Sequence, residues 1–337
     1  MPGAVVTVVI PTLSADEKLL ECLGALEKQT RRDFEVMIVD NSGKGLAQQA
    51  VGSQFRATVV EPGANVGFAT AVNLGFRKSN SPFVAPLNDD AVAHPEWLES
   101  LLAAAEAHPE AGMCASQVRL YAEDQLDSAG MVICGDGSSK QRGHLYPPDD
   151  FNVEEEILFP SASAALYRRA MLDEIGLFDE DFFLYCEDTD LGLRAQRAGW
   201  KCIYTPRAIV EHHYSHSAGR ASRLKAYQVE RNRLFVLLKN FPARMLWRAP
   251  FVTLARYWWH LRSMSLGRGT TAQFRREGNS SLQLALIVFR AHWALLMNSG
   301  ALWRKRREIK RRARLTASDF ARLLRAHSIK ARRVAEL

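Results

Sequence analysis

Phe83-Val84-Ala85-Pro86-Leu87-Asn88-Asp89-Asp90 decides the fold class: five residues of apolar strand run straight into an amide and two carboxylates. A short apolar run ending in polar residues is the signature of a strand covered on both faces. Pro86 is unusual inside such a strand, because it has no N–H to give to the ladder. Ligands of open α/β sheets bind beyond the carboxyl ends of the strands, which is where Asn88, Asp89 and Asp90 stand. Hard oxygen ligands there suit Mg²⁺ or Mn²⁺, ions commonly shared with substrate phosphates. The same residues also read as an Asx-rich turn ahead of a helix starting near Pro95.

The neighbouring sequence fills in the sheet. Val5 to Ile10 is a β-branched run, and Ser14 with Glu17 reads as a capping box leading into Leu19, Leu20, Leu23 and Leu26. Phe34 to Val39 reads as a second strand ending in Asp40-Asn41-Ser42-Gly43, and Thr58 to Val60 as a short third. Asn65 to Phe76 is a Gly-punctuated helix start, Pro95 to Ala107 a helix, and Ala111 to Ser116 another strand. Strands alternating with helices imply an α/β fold with a mostly parallel sheet and right-handed crossovers. The glycines form neither a dinucleotide fingerprint nor a P-loop. Pro11-Thr12, Asp40-Asn41 and Asn65-Val66-Gly67 lie instead where a nucleotide can rest. Asp40 can accept from a base or ribose, or can simply serve the turn.

A second acidic stretch runs from Phe178 to Asp190 (FDEDFFLYCEDTD), just before a segment, Leu191 to Gly199, that reads as a helix. Acidic residues at a helix N-terminus are favoured by the dipole, and that accounts for Asp190. Glu187 and Asp188 beside Phe182, Phe183 and Tyr185 call for more. Carboxylates against an apolar wall are where a general base is tuned. Paired with the Asn88-Asp89-Asp90 cluster, they point to a metal–diphosphate site facing a base.

Composition sets the limits. The 337 residues, 47% hydrophobic and 24% charged, describe an ordinary globular protein of one large or two smaller domains. Met1 to Ile10 runs into a strand without a basic leader, so no signal peptide is expected. The five cysteines (Cys22, Cys114, Cys134, Cys186 and Cys202) are scattered and suit a reducing cytoplasm. Cys186 reads as a buried thiol rather than a nucleophile. The formal charge of +7 is uneven, because Arg304 to Leu337 carries 13 Lys and Arg against three Asp and Glu. With +10 in that tail, the first 303 residues sum to about −3. The tail therefore points to a phosphate-rich partner surface, a membrane or a nucleic acid.

Taken in order, Val8-Val9-Ile10-Pro11-Thr12, Gln29-Thr30, Val39-Asp40-Asn41, Asn65-Val66-Gly67-Phe68-Ala69 and Leu87-Asn88-Asp89-Asp90 resemble an inverting family 2 glycosyltransferase of the GT-A fold. Gly176-Leu177-Phe178-Asp179-Glu180, Tyr185 to Arg194 and Gly199-Trp200 extend the resemblance, which covers roughly residues 4 to 240 and is nearest to the rhamnosyltransferase-like branch. The resemblance implies that Pro11 and Thr12 line the nucleotide, Asp40 binds the base, and Asn65 and Gly67 approach the nucleotide sugar. It makes Asp90 the metal ligand and Asp89 a ribose or diphosphate contact. Asn88 departs from an all-Asp motif, and a neutral amide is the weaker ligand. Asp188 matches the catalytic base, and Glu187 its neighbour near the acceptor. A histidine near the metal matches His212 or His213, with the spacing favouring His212; His216 reads as surface. The implied donor is a nucleoside diphosphate sugar, dTDP-rhamnose or a UDP-sugar. The implied acceptor is a glycan or a polyprenyl-diphosphate-linked one, in bacterial cell-surface polysaccharide synthesis.

Beyond residue 220 the composition changes, which divides the chain into residues 1–220, the catalytic domain, and 221–337, a helical, aromatic- and Arg-rich region. Arg220 to Asn240 reads as a helix. Met245 to Leu261 and Leu282 to Trp303 are aromatic-rich but interrupted by Arg248, Arg256, Arg290 and His292, so neither is expected to cross a membrane. They suit helices lying in a membrane interface, or helices that pack on protein. The Arg304 to Arg314 run attracts anionic lipid, which fits a peripheral enzyme on the cytoplasmic face. The rival reading is a non-catalytic nucleotide-binding module with a nucleic-acid-binding tail; no aromatics interleave the tail's charges to support nucleic acid. Cys134 to Pro148 reads as a mobile loop over the acceptor or an ordinary surface loop.

Overall fold

The computed structural model describes residues 3–213, 222–267 and 269–337. Two compact units make up the chain: Met1–Met131 with Gln141–Ala195 and Trp200–Ser217, and Val132–Lys140 with Gln196–Gly199 and Ala218–Leu337. His216, expected at the surface, lies outside the described residues, as do Arg220 and Ala221.

The first unit opens with β1 (Val6–Thr12), α1 (Glu17–Leu26), β2 (Phe34–Asp40), α2 (Leu46–Val51), β3 (Ala57–Val60) and α3 (Gly67–Lys78). It continues through β4 (Phe83–Pro86), β5 (Ala91–Ala93), α4 (Trp97–Ala107), β6 (Ala111–Leu120) and β7 (Leu126–Ser128). The short strands β8 (Met131–Ile133) and β9 (Ser139–Gln141), most of whose residues belong to the second unit, form a ladder of their own. β10 (Glu155–Ile157), β11 (Ala165–Arg168), α5 (Arg169–Ile175), α6 (Glu187–Arg197) and β12 (Lys201–His212) follow. The main sheet runs β10-β12-β6-β11-β4-β1-β2-β3, with β5 on β12 and β7 on β6. Pairing is parallel across β4-β1-β2-β3 and between β6 and β12, while β11 inserts antiparallel between β4 and β6.

Register brings the polar strand ends to one edge. Thr12 pairs with Asp40 at the ends of β1 and β2, and Val9 with Pro86, so Asn88 follows at the same rim. Pro86 is tolerated because the β4–β11 ladder covers Phe83 and Val84 and then resumes as a single bridge at Leu87–Ala164. Val8, Ile10, Ile38, Leu98, Leu101, Leu166 and Val210 build one core beneath that edge. Each such side chain contributes ~1.5–3 kcal/mol of transfer free energy.

Two local expectations are corrected. Helix α1 is capped by Asp16, whose side chain accepts from Lys18 N, and not by Ser14. Ala15 takes a left-handed φ of 48° with its N–H on Thr12 Oγ1, so the helix cannot start at Ser14. Helix α6 starts at Glu187, which puts Glu187, Asp188 and Asp190 inside its first turn rather than ahead of it.

The second unit contains α7 (Arg223–Asn240), α8 (Ala243–Leu246), α9 (Ala249–Ser265), α10 (Gly269–Arg276), α11 (Ser281–Arg312), α12 (Ala317–Ala326) and α13 (Ala331–Glu336). Part of the expected loop belongs here too: Cys134, Asp136, Gly137 and Ser138 are buried, so this stretch is neither a mobile nor a surface loop. Asp136 accepts from Arg256 Nε at 2.6 Å, and Arg256 Nη2 donates to Glu230 at 2.8 Å. Glu230 also takes Arg233 and the Tyr257 hydroxyl. Two carboxylates and two guanidiniums thus neutralise one another in the interior of the unit.

Helix α11 corrects a third expectation. A capping box of Ser280 and Gln283 starts one continuous helix of 32 residues, rather than a stretch ending at Trp303. It is long and apolar enough to cross a membrane, with an 18-residue window of mean hydropathy 1.2 that is 11% buried. Ile287, Ala291, Leu302 and Ile309 form its buried side, while Leu282, Leu286, Phe289, Trp293 and Leu296 are exposed. Helix α9 exposes Phe251, Leu254, Trp258 and Leu261 at similar spacing.

Candidate active site

The site begins where β1, β2 and β4 end. Thr12 donates its hydroxyl to Asp89 Oδ2 at 2.6 Å. Burial drives the Asp89 carboxyl up to about 6 in pKa, against the Thr12 hydrogen bond and with the help of Asp90. Pro11, half-buried, pairs in register with Val39. Asp40 is 1% exposed, and its two oxygens accept the backbone N–H groups of Ser42 and Ala47 at 2.8 Å each. Burial alone would raise its pKa; the donors from Ser42 and Ala47 bring it below the usual carboxylate range. Asp40 therefore holds the turn and the start of α2. Asn41 next to it reaches outward, from Nδ2 to Gly67 O at 3.3 Å and from Oδ1 to Val66 N at 3.4 Å.

Asn65 is exposed and accepts from Gly67 N at 3.0 Å. Gly67 has φ +80°, and a Cβ there would meet Phe183 O at 2.2 Å. Only glycine fits this left-handed residue against another backbone. Phe68 N then donates to Phe183 O at 2.9 Å, which ties the donor-side loop to the acidic stretch.

Asp90 meets a histidine. His212, at the end of β12, lies with Nε2 3.1 Å from Asp90 Oδ1 and Nδ1 2.9 Å from Asp127 Oδ2. Burial opposes a charged imidazole, but hydrogen bonds to Asp127 and Asp90 outweigh it and raise the His212 pKa to about 10. Asp127 is likewise pressed up by burial, yet His144 and His212 bring it down to about 2. Asn88 turns its amide to His212, with Nδ2 3.0 Å from Nε2. His213 points elsewhere: it stacks on Tyr121 with centroids 3.7 Å apart and faces Glu21 at 3.1 Å. Among the described residues no group of three or more His, Cys, Asp or Glu forms a metal cage. Asp90 and His212 bring a carboxylate and an imidazole together, with the ring fixed from behind by Asp127; holding a divalent ion there would require Nε2 to give up its proton.

The carboxylate pair sits at the head of α6. Tyr185 and Cys186 both take left-handed φ, 70° and 66°, so the chain enters the helix through two strained residues. Asp190, fully buried, is paired with Arg194 at 2.9 Å, and Arg194 also donates to the carbonyls of Ile175, Gly176 and Leu177. Asp190 is thus a scaffold residue. Asp188 is half-buried and accepts from Thr189 N at 2.6 Å and Thr189 Oγ1 at 3.1 Å. Burial raises its pKa; N–H donors from Thr189 and Ala162 offset part of the shift. Glu187 is 7% exposed, and its Oε2 has no hydrogen-bond partner. Burial first, and the Asp188 charge second, push its pKa well above the usual range.

The stretch from Ser161 to Ser163 links both clusters: Ala162 N–H serves Asp188, and Ser163 O accepts from Asn88 N at 2.9 Å. Sequence reasoning missed this link, together with Asp127, Tyr167 and Asn73. Tyr167, in β11, is 1% exposed with an unpartnered hydroxyl, and its ring lies edge-on to Phe178 at 5.5 Å. Asn73 holds the acidic stretch through Phe178 N, Phe178 O and Glu180.

The chain is similar to known proteins. Residues 7–176 match the family described as Glycosyl transferase family 2, and residues 149–303 the one described as Glycosyl transferase family group 2. An N-acetylglucosaminyl-diphospho-decaprenol L-rhamnosyltransferase of Mycobacterium tuberculosis is 32% identical over 81% of this chain and 96% of its own length. A mannosyltransferase from Pyrobaculum calidifontis, solved with GDP-Man and Mn²⁺, superposes with a TM-score of 0.54 at 18% identity, over 92% of this chain and 86% of that one. GalNAc-T7, solved with UDP, GalNAc and Mn²⁺, gives 0.58 at 14% identity, over 82% of this chain and 54% of that one. The fold is that of the GT-A glycosyltransferases, and the chain is a glycosyltransferase belonging to glycosyl transferase family 2.

Proposed function

We propose that the chain moves rhamnose from a nucleoside diphosphate sugar, dTDP-rhamnose, to a polyprenyl-diphosphate-linked acceptor, with inversion and with the help of Mg²⁺ or Mn²⁺. The observation that carries the donor and acceptor is the rhamnosyltransferase relative, aligned over 96% of its length. Asp90 and His212 would hold the ion, and when bound it offsets the charge growing on the departing diphosphate. Thr12 and Asp89 stand on the nucleotide side, with Pro11, Asn65 and Gly67 lining it and Asn88 steadying His212. Asp40 keeps the nucleotide-side turn in shape, the place from which it would meet the base.

Asp188 is the general base. It takes the proton of the acceptor hydroxyl, whose oxygen bonds to the anomeric carbon. The bond from that carbon to the diphosphate oxygen breaks on the opposite face, and its electron pair leaves with the nucleoside diphosphate. A raised pKa suits this work, because a stronger base takes the hydroxyl proton more readily. The test is calorimetric titration of dTDP, UDP and GDP with each metal, on the parent chain and Asp90→Ala. Metal-dependent binding of dTDP, weakened about 10- to 100-fold in the variant, is expected. Equal, metal-independent binding by both proteins removes Asp90 from the site.

The catalytic region covers residues 1–220 and the acceptor-side region 221–337, seated peripherally on the inner membrane face. The exposed stripes of α9 and α11 and the basic run Arg304 to Arg314 support this seat. Helix α11 is read as lying along the interface, because its partner α7 buries Glu230, Arg233 and Lys239, which are costly to carry across a bilayer. Flotation with vesicles should show binding to anionic but not zwitterionic lipid, weakening with salt. Equal binding to both vesicle types would argue against the basic run as the anchor.

A further inference from the structure

The first turn of α6 carries three carboxyl groups, and the chain treats each differently. Asp190 has a cation, Arg194, at 2.9 Å. Asp188 has N–H and O–H donors from Thr189. Glu187 has no cation among the described residues and only its own backbone N–H as a donor: it is 7% exposed and Oε2 is unpartnered. Among the described residues, Tyr167 from β11 faces this pair, with Cys202 from β12 beyond it, and neither is a cation. Arg194, the guanidinium of the same helix, is taken up by Asp190 and three carbonyls.

Magnitudes decide the charge state. A helix N-terminus favours an anion only weakly. A second buried charge beside Asp188, with no cation among the described residues, costs several times more. Glu187 must therefore be relieved of its charge, and a neutral carboxyl in an interior site needs an acceptor for its proton. The Tyr167 hydroxyl, which feels the charge of both carboxyls, is a second buried orphan, 1% exposed. Two buried polar atoms beside Asp188 thus lack a hydrogen-bond partner.

We propose that Glu187 works as a neutral carboxylic acid whose Oε2–H donates a hydrogen bond to a sugar hydroxyl oxygen, leaving Asp188 as the single anionic base. This rests on the glycosyltransfer reading and divides the labour within the pair: one residue removes a proton, the other recognises a hydroxyl. The raised pKa of both groups, caused first by burial, is consistent with that division.

Glutamine keeps the shape and a donor but cannot ionise, and alanine keeps neither. With dTDP-rhamnose and N-acetylglucosaminyl-diphospho-decaprenol as probes, Glu187→Ala should lower kcat/KM by about 10- to 100-fold and Glu187→Gln by less than about fivefold. Equal, large losses in both variants overturn the proposal, since that pattern requires the anion. Infrared spectroscopy at neutral pH supplies a readout that does not depend on turnover. The parent should show the C=O stretch of a protonated carboxylic acid, and the parent-minus-Glu187→Gln difference spectrum should keep it. No such band in the parent, or one undiminished in Glu187→Gln, also overturns the proposal. If the parent fails to turn over these probes, the donor and acceptor reading fails, while the infrared comparison still decides the state of Glu187.

Discussion

Two groups of buried carboxylates, one in each unit, meet opposite fates. In the α/β unit, Glu187 and the half-buried Asp188 lie side by side with no cation among the described residues, and both are pushed above the usual carboxylate range. In the helical unit, Asp136 and Glu230 are buried too, yet Arg256 and Arg233 overcome that burial and hold both below it. Burial is common to the two groups; the arginines are not. A group kept uncompensated is free to exchange a proton with a ligand, whereas a saturated group can only hold helices together. The difference separates the machinery from the scaffold more cleanly than conspicuousness in the sequence does, because Phe178 to Asp190 is dense in acids and Asp136 and Glu230 are isolated ones.

Asp188→Asn should produce the largest effect. The amide keeps the Thr189 contacts but cannot accept the acceptor's proton, so turnover should fall about 10²- to 10⁴-fold, with nucleotide affinity retained. Single-turnover kinetics beside calorimetric nucleotide titration separates the two quantities. Unchanged turnover would move the base elsewhere and collapse the contrast between the groups.

Glu230→Gln tests the other side. The substitution leaves Arg233 and Arg256 buried with Asp136 as their one carboxylate, Tyr257 and the amide notwithstanding. Removing one partner of a buried pair costs about 3–5 kcal/mol. A fall of that size in denaturant unfolding of the helical unit is expected. A loss under about 1 kcal/mol would place this network with surface ion pairs rather than with a scaffold.

How far the sequence discloses this molecule depends on how local each signal is. The strands ending in Thr12, Asp40 and Asn88 were legible because apolar runs and polar turns are short-range features. So were Asp90, Glu187 and Asp188 as acids at the ends of elements. The start of α6 was misjudged, since its entry depends on Tyr185 and Cys186 in left-handed conformations that composition does not announce. Asp127 was invisible: it stands 85 residues from His212, and only the pairing of β7 and β12 with β6 brings them together. Asp136 was hidden in a segment whose Gly and Ser content reads as solvent-exposed. The length of α11 is not legible because its arginine and histidine read as interruptions, whereas the helix accommodates them: Arg290 lies over Tyr227 and His292 faces the Val288 carbonyl one turn back.

Acid should pull the two regions apart by a smaller and graded amount. The unfolded chain protonates Asp136 and Glu230 at ordinary carboxylate values, while their folded values are lower, so the stability they provide is present near neutral pH and lost as pH falls through the carboxylate range. His260 acts in the same direction. Burial, then Arg256 and Lys140, hold it down to about 3, so an unfolded histidine near 6.5 takes a proton that the folded one refuses. Stability of the helical unit therefore declines as pH drops from about 6.5 towards 3. Glu187 and Asp188 have the opposite sign: their folded values are raised, so lowering the pH relieves a cost already present at neutrality. Hydrogen exchange at pH 7 and pH 5, corrected for intrinsic rates, should show α7 and α9 losing protection while α6 keeps or gains it. Uniform loss across α6, α7 and α9 would mean that cations reach the Glu187 and Asp188 pair after all, and the division between exchangeable and saturated carboxylates would fall with it.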